Sequence, residues 1–336
     1  MIPEKLQNEA KAIIEKIRSS KRILLSAHVR PDGDAIGSVT GLMKSLEKMG
    51  KEVEVALFDG IPSRFSFVWP SDHSIIQGQS LVKSDHDLIL ILDCGDMERN
   101  GITFEYDKSK TAFYNIDHHA SNTNFGDINY VDTGASATCE IVTALITEFG
   151  LPLDADLAEA LILGLITDSR TFSNEGIRYT THEAAARLLK TGVSTTRILT
   201  VLNSGRSIAD LKVQALGLSK MKIECDGHLA TVVFTEEELK SLGANVGNVF
   251  GSGIFNIPLT AQSIFASVVV FPREDGSSAC EFRSRGGIDV KQVAVALGGG
   301  GHLPASGCNQ PIPVKEMSEK AISLMIKQVN AFFENK

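Results

Sequence analysis

The sequence predicts an α/β fold: a doubly wound, mainly parallel sheet in an N-terminal domain, followed by a smaller α/β domain. Three observations carry this expectation. Short apolar runs of strand length alternate with segments of helical period through about residue 190, the pattern of βαβ units and a parallel sheet. Beyond about residue 218 the texture changes, with strand-like runs and short helices in a different mixture. A chain of 336 residues also exceeds one domain at roughly 100–200 residues each. The expected boundaries are 1–192 for the first domain, 193–218 for a connector of mixed polar and apolar residues, and 219–336 for the second. Two domains on one connector imply a cleft between them that narrows around substrate.

The elements follow in order. Ile2, Leu6, Ala10, Ile13, Ile14 and Ile17 recur at spacings that define one apolar helical face over 2–19. Lys21–Ala27 reads as a buried strand, and Ala35–Met49 as a helix closed by Gly50. Val53–Phe58, Asp87–Asp93 and Thr111–Ile116 read as further strands, the second of them apolar throughout between its two aspartates. Helices are expected over Ala135–Phe149, Asp154–Thr167 and Thr180–Lys190, the last capped by Thr180 or Thr181. In the second domain His228–Phe234, Ala261–Phe271 and Ala279–Ser284 read as strands, with Glu236–Leu242 and Ile288–Leu297 as short helices. A glycine-rich loop, Gly298–His302, precedes a closing helix over Val314–Phe333.

Composition narrows the function classes. Hydrophobic residues make up 43% and charged residues 22%, values of a globular protein with a real core. No apolar run approaches the roughly 18–20 residues that span a bilayer. Met1–Arg22 carries charges of both signs and no secretory core, so a cytoplasmic location is expected. The five cysteines contain no C-x-x-C pair and read as free thiols. A net charge of −8 argues against a protein that tracks along long nucleic acid, which needs a broad basic face. It leaves room for a small anionic substrate held by a few local cations.

The chemistry gathers at predicted strand and helix ends. His28, Asp32 and Asp34 occupy the turn after the first strand, Asp93 closes an apolar strand, Asp117-His118-His119 follow another, and Asp168 ends a helix. Ligands of open α/β sheets bind at the carboxyl ends of strands. Any one of these aspartates alone is the residue a turn or helix cap needs. The combination is not explained by capping. Carboxylates with imidazoles and no thiolate suit Mn²⁺, or Mg²⁺ with less nitrogen ligation, and two ions about 3.5–4 Å apart would use the whole set. Gly33 is read as the residue that lets the backbone turn between Asp32 and Asp34. Arg178, Arg206 and Arg285 read individually as surface charges or ion-pair partners, and His73, His86, His182 and His228 have no constellation around them.

These motifs resemble the DHH phosphoesterase family: H-x-x-x-D-x-D at His28, Asp32 and Asp34, the strand-closing Asp93, Asp117-His118-His119, and Asp168 in Leu-Ile-Thr-Asp-Ser. Phe282-Arg283-Ser284-Arg285, Ile288-Asp289-Val290 and Gly298–His302 resemble the family's associated C-terminal domain. The resemblance runs in order over nearly the whole chain and looks most like the NrnA-type group, which degrades very short oligoribonucleotides and dephosphorylates 3′-phosphoadenosine 5′-phosphate. It implies one ion on His28, Asp32 and Asp93, and a second on Asp34, Asp93, His118 and Asp168. It further implies that His119 faces the phosphate, with Asp117 fixing a histidine tautomer. Arg283, Ser284, His302 and the amides of Gly300 and Gly301 would hold the terminal phosphate or base. Arg170 and Leu303-Pro304 depart from the family pattern and bear on substrate preference.

The implied activity is hydrolysis of short oligoribonucleotides or nucleotides to nucleoside 5′-monophosphates by water activated between two Mn²⁺ ions. A linear or cyclic dinucleotide phosphodiesterase is the alternative, with a manganese pyrophosphatase and a non-catalytic nucleotide sensor behind it. No membrane partner is expected, and a homodimer is left open.

Overall fold

The computed structural model describes residues 2–174 and 177–334. They form two compact units, one up to Asn203 and one from Ser204. No helix among the described residues is long and apolar enough to cross a membrane.

The first unit contains α1 (Gln7–Ser19), β1 (Arg22–Ser26), α2 (Gly33–Lys48), β2 (Glu52–Ala56), β3 (Leu81–Ser84), β4 (Leu88–Leu92), α3 (Met97–Asn100), β5 (Thr103–Tyr106), β6 (Ala112–Asp117), β7 (Ile128–Val131), α4 (Thr138–Glu148), α5 (Ala155–Asp168), α6 (Tyr179–Leu189) and α7 (Thr195–Ser204). Its main sheet has the order β2-β1-β4-β6-β7, and every pairing is parallel. The expected doubly wound sheet is therefore present, with β3 and β5 as a small parallel pair beside it.

The central strand β4 is buried at every position. Successive side chains leave opposite faces of a strand. Leu88, Leu90 and Leu92 join the larger core, while Ile89 and Ile91 join a second cluster with Val82, Phe104 and Phe113. This is why the sequence shows a continuous apolar run where a one-sided strand would alternate.

On the larger core, α2 packs closely on α5 because small residues line the contact. A Cβ at Gly37 would stand 2.5 Å from the Ala160 carbonyl oxygen, and one at Gly164 3.0 Å from Asp34 Cα. Gly33 belongs to the same contact. It is not among the glycines with positive φ, and a Cβ there would lie 2.3 Å from Thr167 Oγ1. Its absent side chain serves helix packing; the turn between the aspartates does not require it.

The second unit contains α8 (Ile208–Ser219), β8 (Lys222–Glu224), β9 (Leu229–Val233), α9 (Glu236–Ser241), α10 (Val246–Gly251), β10 (Ala266–Pro272), β11 (Ser278–Ser284), α11 (Val290–Ala296), β12 (Gly300–His302), β13 (Ala305–Gln310) and α12 (Val314–Glu334). Its sheet has the order β12-β13-β11-β10-β9-β8. Only the β9–β10 pairing is parallel. α12 covers a core with Leu229, Val268, Val270 and Phe282, and Val213 of α8 lies in a separate cluster with Val232, Phe234 and Phe271.

Several local expectations change. The segment 193–218 is mostly helix, with Ile198 of α7 in the first unit's core. The strand expected from Ala261 begins at Ala266, after a helical turn over Ile257–Thr260. Gly300–His302 is an edge strand paired with β13, so the glycine-rich stretch is loop only in part. Thr180 and Thr181 do not cap α6; Arg178 stands at that position without a side-chain cap bond, and the Thr181 hydroxyl donates to Glu140 Oε2 at 2.8 Å.

Candidate metal centre

Parallel pairing in register puts the carboxyl ends of β1, β4 and β6 at one sheet edge: Ser26 pairs with Ile91, and Leu92 with Ile116. His28, Asp93 and Asp117-His118-His119 leave the sheet there. Asp32 is the N-cap of α2, and its Oδ1 accepts from the amides of Asp34 at 3.0 Å and Ala35 at 3.1 Å. The capping role is real and leaves the half-exposed carboxylate a second oxygen.

His28 is buried, with Nδ1 at 2.8 Å from the Val29 carbonyl. Its Nε2 faces Asp32 Oδ1 at 3.9 Å and Asp93 Oδ2 at 3.6 Å. Asp93 is 1% exposed and has a φ of 52°, a strained backbone for a residue with a Cβ. Its Oδ1 accepts from the Thr138 hydroxyl at 3.0 Å. Its Oδ2 is buried with no hydrogen-bond partner among the described residues, a costly condition for a carboxylate oxygen.

Asp34 is also 1% exposed. Its carboxylate accepts from the amides of Thr138 at 2.6 Å and Cys139 at 2.9 Å, the first residues of α4, where the helix dipole favours negative charge. His118 Nδ1 lies 3.2 Å from the Ala135 carbonyl. Its Nε2 faces Asp168 Oδ2 at 3.5 Å, Asp93 Oδ1 at 3.6 Å and Asp34 Oδ2 at 3.9 Å. His119 Nδ1 lies 2.7 Å from Asp117 Oδ1 and 3.8 Å from Asp93 Oδ1. Asp117 is fully buried, and its Oδ2 accepts from Asn122 Nδ2 at 2.6 Å. Three overlapping groups thus offer ligand atoms within 4.8 Å of one another: His28–Asp32–Asp93, Asp34–His118–Asp168 and Asp93–His118–His119.

The electrostatics of this set follow from burial and crowding. Burial, then the nearby carboxylates of Asp93, Asp168 and Asp32, push the Asp34 carboxyl well above its ordinary range. Burial, with Asp93 and Asp32, pushes Asp168 up to about 6 against the opposing pull of His118. Burial disfavours the His28 imidazolium, yet Asp32 and Asp93 outweigh it and raise that group to about 10. Asp32 is correspondingly held down at about 2 by His28 and the capping amides, against burial. His118 is raised by Asp93 and Asp168 despite burial. Asp117 is lowered despite burial by His119 and Asn122. Crowded, buried carboxylates of this kind are stabilised by a nearby cation. An orphaned buried oxygen on Asp93, hard oxygen donors and free imidazole Nε2 atoms fit a divalent ion.

In the second unit Arg283 and His302 both pair with Ala305, on opposite sides of β13. Directly paired residues share a face, so these two side chains leave one face, about 10 Å apart at two strand spacings. Gly300, Gly301 and His302 are exposed on the edge strand. Arg283 Nη1 donates to Glu281 Oε2 and to the Phe282 carbonyl, both at 2.8 Å. Ser284 is placed differently from the expectation: it is buried and its hydroxyl donates to the Ile288 carbonyl at 2.5 Å, which ties it to the turn before α11.

Sequence reasoning missed Thr138, Asn122 and the Ala135 carbonyl. Thr138 meets Asp34 across 104 residues, and nothing local in Ala-Thr-Cys-Glu announces that contact.

Comparison with known proteins adds the following. Residues 22–165 match the model of the DHH family, N-terminal domain. The chain is 30% identical over 285 residues to the bifunctional oligoribonuclease and PAP phosphatase NrnA of Thermus thermophilus, covering 85% of this chain and 83% of that one. It is 27% identical to the cyclic-di-AMP phosphodiesterase GdpP of Geobacillus thermodenitrificans over 87% of this chain and 45% of that longer one. In fold it resembles an exopolyphosphatase-related protein from Bacteroides fragilis, with a TM-score of 0.84, 23% identity and 98% of both chains covered.

Proposed function

The chain belongs to the DHH family, and from that premise we propose that it hydrolyses short oligoribonucleotides to nucleoside 5′-monophosphates and removes the 3′-phosphate of 3′-phosphoadenosine 5′-phosphate. It is a phosphoester hydrolase, and we assign it a cytoplasmic setting from this substrate class. The observation that carries the reading is Asp93, whose two oxygens face different imidazoles: Oδ2 toward His28 and Oδ1 toward His118.

His28, Asp32 and Asp93 would hold one Mn²⁺, and Asp34, Asp93, His118 and Asp168 a second. Such a pair supplies an activated water and neutralises charge on the phosphoryl oxygens. The protein's own groups do the rest. The carbonyls of Val29 and Ala135 orient the two imidazoles through Nδ1 and leave each Nε2 toward the carboxylates. Asp117 holds His119 Nδ1, itself held by Asn122. The partly exposed His119 ring can then offer an N–H to a phosphoryl oxygen as charge develops there. In the second unit Arg283, with His302 on the same face and the amides of Gly300 and Gly301, would bind the terminal phosphate or base.

A product profile with Mn²⁺ tests this across 3′-phosphoadenosine 5′-phosphate, dinucleotides, five-mers, cyclic dinucleotides and pyrophosphate, with Asp93→Ala as control. Fastest turnover of linear dinucleotides and 3′-phosphoadenosine 5′-phosphate is expected. Preference for cyclic dinucleotides would favour the phosphodiesterase reading, and equal inertness of wild type and Asp93→Ala would refute both.

A further inference from the structure

The carbonyl that orients His118 sits in the loop 132–136, and buried charge grips that loop. Asp132 and Glu140 are each 5% exposed. Glu140 Oε2 accepts from the Ser136 amide at 3.0 Å, the Ser136 hydroxyl at 3.0 Å and the Thr181 hydroxyl at 2.8 Å. Asp132 Oδ1 accepts from the Gly134 amide at 3.1 Å, and the Asp132 carbonyl from the Ala135 amide at 2.9 Å. The Asp132 amide donates to the Asp117 carbonyl at 3.1 Å, so the loop is also anchored to the strand that delivers the histidines.

Arg178 lies across this assembly. Its Nη2 is 3.0 Å from Asp132 Oδ2 and 3.8 Å from Glu140 Oε1. A Cβ at Gly134 would lie 2.4 Å from Arg178 Nη1, so the guanidinium rests against the loop at Gly134, and a side chain there would displace it. Its Nε is buried with no hydrogen-bond partner among the described residues. The guanidinium's position is thus set by the two carboxylates and the loop. Two buried carboxylates in one network need such a counter-charge. Arg178 is also the N-cap position of α6, the first helix after Asp168. One side chain therefore connects the loop that holds His118 with the stretch of chain that follows Asp168.

We propose that Arg178 is a positioning residue for the Asp34–His118–Asp168 cation site, acting through Asp132, Glu140 and the Ala135 carbonyl. This goes beyond a surface charge or a simple ion-pair partner, the roles its sequence context suggests, and it rests on the metal reading above. Loss of Arg178 leaves Asp132 and Glu140 without their counter-charge and loosens their hold on the loop. The Ala135 carbonyl then no longer fixes which way His118 Nε2 points. Groups that orient a metal-ligating histidine typically contribute 10–100-fold to metal affinity.

The test is a Mn²⁺ titration of the metal-stripped full chain, followed by calorimetry or by the electron paramagnetic resonance signal of free Mn²⁺, beside a thermal melt. Wild type is expected to bind two ions. Arg178→Met is expected to weaken one of them by about 10-fold or more and leave the other unchanged. Arg178→Lys, which keeps a charge but cannot span both carboxylates, should fall between and remains informative if the methionine variant does not fold. Wild-type affinity for both ions in either folded variant, whatever its melting temperature, would make Arg178 a structural ion pair only and overturn the proposal. Absence of Mn²⁺ binding by wild type would instead overturn the metal reading beneath it.

Discussion

Nε2 of His28 stands 3.6 Å from Oδ2 of Asp93, an oxygen that no hydrogen bond satisfies among the described residues. Asp93 reaches this place because β4 ends one residue earlier and the backbone then enters the left-handed region at a φ of 52°. An aspartate held in strain with a bare oxygen is poor design for stability alone. It is what a bridging ligand requires, and the consequences can be measured.

Asp93→Asn should lower Mn²⁺-dependent hydrolysis of a dinucleotide by about 10⁴-fold or more, since residues that act as a unit fail together. In metal-stripped protein the same variant should melt at or above the wild-type temperature, because one charge leaves a crowd that already includes Asp34 and Asp168. A melt well below wild type would show that Asp93 stabilises the fold and does not strain it.

Asp168 and His28 set a pH dependence for the metal-stripped protein. Asp168 is raised to about 6 from an ordinary value near 4. The folded state therefore binds more protons than the unfolded one across that interval, and stability falls as pH rises through it. His28, raised to about 10, contributes stability that is complete below about 6.5 and lost as pH climbs toward 10. Both signs agree. Between about pH 4 and 6 wild type should lose stability relative to Asp168→Asn, and thermal melts of both should decline further toward pH 9. Parallel profiles would contradict the crowding described here. Mn²⁺ should flatten the wild-type decline, because it replaces the protons.

Gly33→Ala should destabilise the first unit by roughly 1–3 kcal/mol through overpacking, because the new Cβ meets Thr167 Oγ1 at 2.3 Å. Chemical denaturation reads this directly, and Thr167→Ala in the same chain should return part of it. No loss in Gly33→Ala would mean that α2 and α5 have room to separate.

Asp117→Asn should separate catalysis from metal binding. His119 loses its charged partner at 2.7 Å, so kcat should fall about 10–100-fold, the size expected when an orienting partner is lost. Mn²⁺ affinity should remain close to wild type. An equal loss of metal affinity would place His119 among the ligands, as its 3.8 Å approach to Asp93 allows.

The sheet and the convergence of its acidic termini were legible because parallel strands carry one-sided consequences: apolar runs mark β1 and β4, and whatever follows each run lies at the same edge. Other features left no local trace. Strands β3, β5 and β7 have four residues each and too few buried positions for a period to show. Gly300-Gly301-His302 has no strand propensity and is a strand only because β13 lies beside it. Gly33 looked like a turn residue because its neighbour across the helix contact, Thr167, is far away in sequence. Arg178 reads as a surface charge or an ion-pair partner; the pairing is present, but its partners Asp132 and Glu140 meet it only after folding.

On the proposed reading Asp93 would be shared by two ions. Anomalous scattering from Mn²⁺-soaked crystals measures it most directly. Two peaks about 3.5–4 Å apart are expected, with Asp93 contacting both, His28 and Asp32 at one, and Asp34, His118 and Asp168 at the other. A single peak, or two peaks that do not share Asp93, would contradict it.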